Sequence, residues 1–133
     1  MIEIISGSSY SELNKTTDQF EKNSPFLDIN FFEALEKSES IGGNTGWVSF
    51  PIIAKKNNVI VGFMPIFLKE HSYGEYVFDH AWADAFQQHG LNYFPKMISA
   101  IPFTPVTGPR VLANDLEVKK AIIKSIEKIL LQY

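Results

Sequence analysis

The chain has 133 residues, 45% of them hydrophobic and 20% charged, an ordinary globular mix that fits one domain and excludes global disorder. A formal charge of −3 and a pI of about 5.6 leave no basic footprint, so nucleic acid is not an expected partner. With no cysteine, disulfide frameworks, thiol nucleophiles, CxxC redox pairs and cysteine zinc sites are excluded together.

The first residues, Met1-Ile-Glu-Ile-Ile-Ser-Gly7, carry an acid where a secretory leader carries basic groups. The longest uncharged apolar run, Val59 to Leu68, is interrupted by Gly62 and Pro65. It is much shorter than the ~20 residues a membrane-spanning helix needs. A soluble, cytoplasmic chain is therefore expected.

Ile2 to Ile5 reads as a short strand closed by Ser6-Gly7, and Ser8 to Ser24 as a polar loop with a helical turn around Thr17 to Glu21. Asp28 is placed to cap a helix that carries Phe31, Phe32 and Leu35 on one face. Ile41 to Gly46 is a loop by composition. Trp47 to Ala54 and Val59 to Leu68 are β-rich runs separated by Lys-Lys-Asn-Asn, the pattern of an antiparallel hairpin. Pro65 cannot donate to a ladder, so the second arm is expected to bulge there or to lie on an edge. His80 to His89 suits a helix ended by Gly90, and Lys96 to Ile101 suits another strand. A proline-rich segment, Pro102 to Arg110, leads to Asn114-Asp-Leu-Glu117, a capping-box-like spacing. The final helix, Asp115 to Leu131, is expected to pack through Leu116, Ile122, Ile123, Ile126, Ile129 and Leu130. The order implies an α+β fold, a mixed sheet with a central hairpin and flanking helices. A strand closing the sheet beside Lys96 to Ile101 is missing from the pattern. The last helix and that open edge then call for a partner, either a second copy or a separately encoded half, unless Ile2 to Ile5 closes the sheet.

Five segments carry a family likeness: Ser24-Pro-Phe-Leu27, Thr45-Gly-Trp47, His71 to Asp84 (HSYGEYVFDHAWAD), Tyr93-Phe-Pro-Lys96 and Ile101 to Arg110 (IPFTPVTGPR). Together they resemble the FemAB-like peptidoglycan biosynthesis or recognition proteins within the GNAT acyltransferase superfamily. The resemblance runs from about Pro25 to the C-terminus. Members of that family are usually more than twice this length and look like two GNAT-type units in tandem. The resemblance therefore implies one incomplete N-terminal GNAT-like unit in residues 1–133. The activity it implies is transfer of an acyl or aminoacyl group to an amine, with acyl-CoA or aminoacyl-tRNA as donor and a peptidoglycan precursor as an acceptor. A non-catalytic recognition domain is the alternative.

Such a transfer needs a proton acceptor, donors for a developing oxyanion, and a dock for the donor group. Glu75, Asp79 and His80 are the candidate catalytic groups. His80 and Asp84 fall at i and i+4, where a carboxylate can fix the imidazole tautomer and raise its basicity. The plainer reading is a helix cap at Asp79 and a surface pair at His80 and Asp84. A metal on His80 and Asp84, completed by His71 or His89, is disfavoured, because His89 falls on the opposite side of a helix from His80. No metal is expected. In acyl-CoA-dependent members of the superfamily, the position of Thr104 to Arg110 holds the loop that cradles pyrophosphate. Thr104, Thr107 and Arg110 are accordingly candidates for substrate binding, although Pro105 and Pro109 make a poor backbone nest. A structural role for the segment, with Arg110 paired to an acid, stands beside that reading. Tyr73 and Trp82 have polar tips that could orient a ligand, while aromatic residues of this segment, including Tyr76, Phe78 and Phe86, more often belong to a core. Glu75, Asp79, His80 and Asp84 are expected to line the same cleft as Thr104, Thr107 and Arg110.

Overall fold

A computed structural model describes residues 1–13 and 25–132. The turn expected around Thr17 to Glu21 lies outside the described residues. The rest is an α+β fold of three α-helices and two antiparallel sheets.

The hairpin is the organising element. Strands β3 (Ile52–Lys56) and β4 (Val59–Met64) are joined by Asn57-Asn58, whose φ values of 50° and 63° are those of a type I′ turn. Ala54 pairs with Gly62 and Lys55 with Ile60, so Val61 is the extra residue of a β-bulge. At Pro65, where the sequence predicts a bulge or an edge position, β4 has already ended. Both arms instead break at prolines, Pro51 and Pro65, beyond which β2 (Trp47–Ser49) pairs with β5 (Phe67–Lys69) in a second sheet. One backbone bond, Phe50 N–H to Ile66 O at 2.8 Å, spans the break. The expected mixed sheet is therefore two all-antiparallel sheets.

Strand β1 (Glu3–Ser6) joins the first sheet beside β3, and β7 (Leu112–Ala113) joins it beside β4. The second sheet is completed by β6 (Lys96–Ile98) against β5, a shorter strand than the expected run to Ile101. β1 thus borders the first sheet and does not close the edge at β6.

Alternate residues of the first sheet feed two cores. On one face Ile53, Ile60 and Phe63 meet helix α1 (Ile29–Lys37), and Tyr10 stacks on Phe32 with ring centroids 4.8 Å apart. Asp28 caps α1 as expected, accepting from Asn30 N–H at 2.9 Å. Glu36 then ties three elements together. It accepts from Tyr10 N–H and Ser11 Oγ, both at 2.7 Å, and from Ser49 Oγ at 2.9 Å.

On the other face Ile52 and Ala54 meet α3 (Leu116–Leu130) through Val118 and Ile122. The cap is Asp115, accepting from Glu117 N–H at 2.9 Å, one residue later than the Asn114 spacing suggests. The packed face also differs from expectation. Ile126 and Ile129 are partly buried with Val118 and Ile122, whereas Leu116, Ile123 and Leu130 are exposed. Gly62 explains how closely α3 approaches: a Cβ there would stand 2.7 Å from Val118 Cγ1 and 3.0 Å from Leu112 O.

Candidate functional site

The site grows from one strand position. Strand alternation puts Lys69 on the buried side with Phe67, so the last residue of β5 carries a cation into the interior. Lys69 is fully buried, its Nζ 3.7 Å from the centre of the Trp47 ring and donating to Tyr73 O at 2.7 Å. Burial pushes its pKa down, and the charge of Glu75 at 3.3 Å only partly offsets that.

The neighbouring strand contributes the second cation. Lys96, at the start of β6, donates to Glu75 Oε1 at 2.8 Å, Asp79 Oδ2 at 2.6 Å and Ser72 Oγ at 2.8 Å. Tyr93 also donates its hydroxyl to Asp79 Oδ2. Burial raises the Asp79 carboxyl pKa, but Lys96, the Ser72 hydroxyl and Tyr93 outweigh it and hold the group well below the usual carboxylate range. Burial works against the Lys96 ammonium too. The bonds and charges of Asp79 and Glu75 prevail and hold it above its ordinary value. The Tyr93 pKa is raised, first by its bond to Asp79 and then by burial. Asp79 Oδ1 and Glu75 Oε2 are buried without a hydrogen-bond partner.

The loop that delivers the acids is shaped by its backbone. Gly74 has φ of 80°, its carbonyl accepts from Phe103 N–H at 2.9 Å, and a Cβ there would lie 2.6 Å from the Phe103 ring. Residue 74 must be glycine to lie this close over Phe103 and Trp47. Asp79 follows at the N-terminus of α2 (His80–Gln88) but makes no capping bond, because its carboxylate is engaged by Lys96 and Tyr93. The plain capping role read from sequence is thus replaced by a buried ion pair.

Above this network lies a groove of about 650 Å³. One wall is the consecutive stretch Lys96 to Ala100, which runs along the edge of β6 that no described strand pairs; the other includes Val77, Trp82, Phe86 and Tyr93. The aromatic residues of this segment are on the surface: Tyr76 and Phe78, expected in the core, are exposed, as are the two ligand-orienting candidates, Tyr73 and Trp82, the latter 67% accessible. Helix α2 buries none of its residues. A larger concavity of about 1040 Å³, lined by Glu12, Glu36 and Glu39 with Gly42 and Gly43, lies beside α1, and none of the sequence candidates lines it.

Of the sequence candidates, Glu75, Asp79 and Trp82 come together at the groove. His80 and Asp84 are exposed, line no part of it, and no hydrogen bond or ion pair joins them among the described residues. Asp84 contributes to a separate shallow cleft with Gln87 and Asn92. Tyr73 packs on His71 with ring centroids 5.0 Å apart. His71 in turn bonds Thr45 O, and His89 bonds Ala85 O, each at 2.7 Å. Thr104, Thr107 and Arg110 do not line the groove. Arg110 pairs with no acid among the described residues and does not stand free: its guanidinium donates to Val106 O at 3.0 Å and Gly108 O at 3.2 Å, folding the loop on itself. Thr104 Oγ1 donates to Pro102 O at 3.1 Å. The single cleft expected for Glu75, Asp79, His80, Asp84, Thr104, Thr107 and Arg110 is therefore divided: Glu75 and Asp79 at the groove, His80 and Asp84 exposed on α2, and Thr104 and Arg110 bonded within their own loop. Among the described residues no three His, Asp or Glu side chains are grouped to hold a metal ion.

Lys69, Ser72, Tyr93 and Lys96 were not singled out by sequence reasoning. Two signals were present: Lys69 shares strand parity with Phe67, and Lys96 ends the Tyr93-Phe-Pro-Lys96 segment at a strand start.

Ser72, Tyr93 and Lys96 fall within segments that carry a family likeness. The family model for FemAB-like peptidoglycan biosynthesis/recognition matches residues 2–133. The chain belongs to that FemAB-like family. The match includes the N-terminal strand, which the resemblance read from sequence, beginning near Pro25, left out. No curated protein and no solved structure shows significant similarity to this FemAB-like chain. Among its described residues no helix is long and apolar enough to cross a membrane.

Proposed function

We propose that this FemAB-like chain serves amine acylation or aminoacylation of a peptidoglycan precursor, and that its groove between α2 and β6 holds the acceptor. The observation that carries the reading is a buried carboxylate–ammonium network beneath a groove whose rim keeps Trp82 exposed. Exposed aromatic side chains beside fixed polar groups are how a surface grips a ligand with both apolar and hydrogen-bonding parts. Asp79 Oδ1 has no hydrogen-bond partner among the described residues and retains acceptor capacity that an amine or hydroxyl could take up.

The donor, acyl-CoA or aminoacyl-tRNA, comes from the family reading and belongs to the proposal with the activity itself and a GNAT-type fold. One observation favours the second reading, a recognition domain without turnover. Asp79 is held ionised by Lys96 and Tyr93, and a carboxylate so stabilised is a weak base for an ammonium proton.

The test is calorimetric titration with a soluble muramyl-peptide precursor bearing a free amine. Wild-type chain is expected to bind, and Trp82→Ala to lose at least about tenfold in affinity, as for removal of an aromatic anchor, with its melting temperature unchanged. Equal affinity in both proteins, or no binding, refutes the groove as the acceptor site. Mass spectrometry of the precursor after incubation with each donor then separates the readings: acylated amine supports transfer, and binding without mass gain supports recognition alone.

A further inference from the structure

Helix α3 is apolar on two sides, and only one of them meets the sheet. Val118, Ile122, Ile126 and Ile129 pack against the first sheet. Leu116, Ile123 and Leu130 are 62%, 50% and 57% accessible. They recur every seven residues, and on an α-helix that interval drifts by only about 20°, so the three form one stripe along the outer surface. Single exposed leucines need no explanation, whereas an aligned set over a whole helix marks a contact face.

The charges beside the stripe indicate what covers it. Lys120 and Glu127 follow Leu116 and Ile123 by four residues each, so both sit on the same flank of the stripe. Lys120 lies toward the N-terminal end of the helix and Glu127 toward the C-terminal end. In a parallel two-fold pair the flank of Lys120 and Glu127 would face the partner's other flank, where Lys119 and Ile126 follow Leu116 and Ile123 by three residues, so Lys120 would meet a lysine and Glu127 would find no counter-charge. An antiparallel partner related by a two-fold axis at Ile123 sets Leu116 against the partner's Leu130 and Lys120 beside the partner's Glu127. Lys120 also pairs with Glu117 of its own helix at 3.6 Å, so the partner's Glu127 would extend an exposed pair that already exists. Leu130 also forms one wall of a largely apolar groove of about 300 Å³ with Phe50, Leu68, Phe94 and Met97. The partner's Leu116 would arrive beside that groove.

We propose that the outer face of α3 is a homodimer interface in which two copies pair their α3 helices antiparallel about Ile123. A helix of 15 residues spans only about 22 Å, so the contact is small and the dimer is of the weak, concentration-dependent kind. This inference is independent of the groove between α2 and β6.

Sedimentation equilibrium on the full chain between about 5 and 500 μM, a range suited to small interfaces, tests it. The expected result is a reversible monomer–dimer equilibrium. Ile123→Glu, which places two carboxylates face to face on the axis, should give a monomer throughout with an unchanged circular-dichroism spectrum. Lys120→Glu alone should weaken the dimer, and the double variant Lys120→Glu/Glu127→Lys should restore it, because the swap reconstitutes the pair with reversed sign. A wild-type chain that stays monomeric overturns the proposal. So does a dimer indifferent to Ile123→Glu, or a double variant no better than Lys120→Glu.

Discussion

Replacing Lys96 by Met is the most direct probe of the buried network. The substitution keeps chain length and apolar bulk but removes the donor to Asp79 Oδ2 at 2.6 Å, Glu75 Oε1 at 2.8 Å and Ser72 Oγ at 2.8 Å. The side chains of Lys96, Glu75 and Asp79 are 13%, 5% and 8% accessible, so water cannot fully replace what is lost. Removing one partner of a buried pair leaves the other charge uncompensated and typically costs about 3–5 kcal/mol. Lys69, 3.3 Å from Glu75, remains to hold that carboxylate, which places the expected loss at the lower end, near 3 kcal/mol. For a domain of this size that corresponds to a fall in melting temperature of roughly 10 °C. Thermal melts followed by circular dichroism at neutral pH measure it, with urea unfolding to confirm that the slope is unchanged. A shift of only a degree or two would mean that the network is solvated and contributes as little as a surface pair, and the reasoning would fail.

Acid stability should carry the Asp79 signature. Its pKa is depressed in the folded state, so its contribution is full above the unfolded carboxyl value near about 4 and is lost as pH falls below that toward the folded pKa. Urea midpoints from pH 6 down to pH 2.5 should fall more steeply for wild type than for Asp79→Asn, and parallel profiles would contradict the assignment. Gly62→Ala should destabilise by about 1–3 kcal/mol through overpacking, since its Cβ would meet Val118 and the Leu112 carbonyl; a neutral urea midpoint would show that α3 can move away.

Much of the architecture was legible because the residues that set it act locally. Asp28 as a cap, Gly90 after α2 and Asn57-Asn58 between strands each satisfy a backbone requirement visible in the residue itself. The failures share a different cause. Leu116, Ile123 and Leu130 look like core by composition, and only the seat of Val118 against Gly62 decides which side of α3 turns inward. Tyr73, Tyr76, Phe78 and Trp82 look like core too, but α2 is anchored at its start by Asp79 and lays no face on a sheet. Arg110 carries no mark in sequence that its own loop's carbonyls will occupy it. Glu75 and Asp79, read together from the sequence, do share Lys96, yet the cations that hold them come from strands more than a dozen residues downstream or on another arm, a pairing that spacing alone does not encode.

The two prolines link the fold to the groove. If the hairpin ran straight, β5 would continue in the sheet that α3 covers, and the edge beside it would meet the core of that helix. Breaking both arms at Pro51 and Pro65 turns β2 and β5 into a separate sheet while Phe50 and Ile66 keep the backbone connected. That second sheet has room for β6 beside β5, with Lys69 paired opposite Lys96 in register. Two lysines side by side in a ladder repel, and the pairing is tolerable only with acids between them. Glu75, 3.3 Å from Lys69 and 2.8 Å from Lys96, fills that place, and Asp79 adds a second counter-charge on Lys96. The loop from Ser72 to Asp79 is therefore drawn over the end of the sheet by the charge that the register creates. Its aromatic residues are left outside because the acids, rather than the rings, face inward.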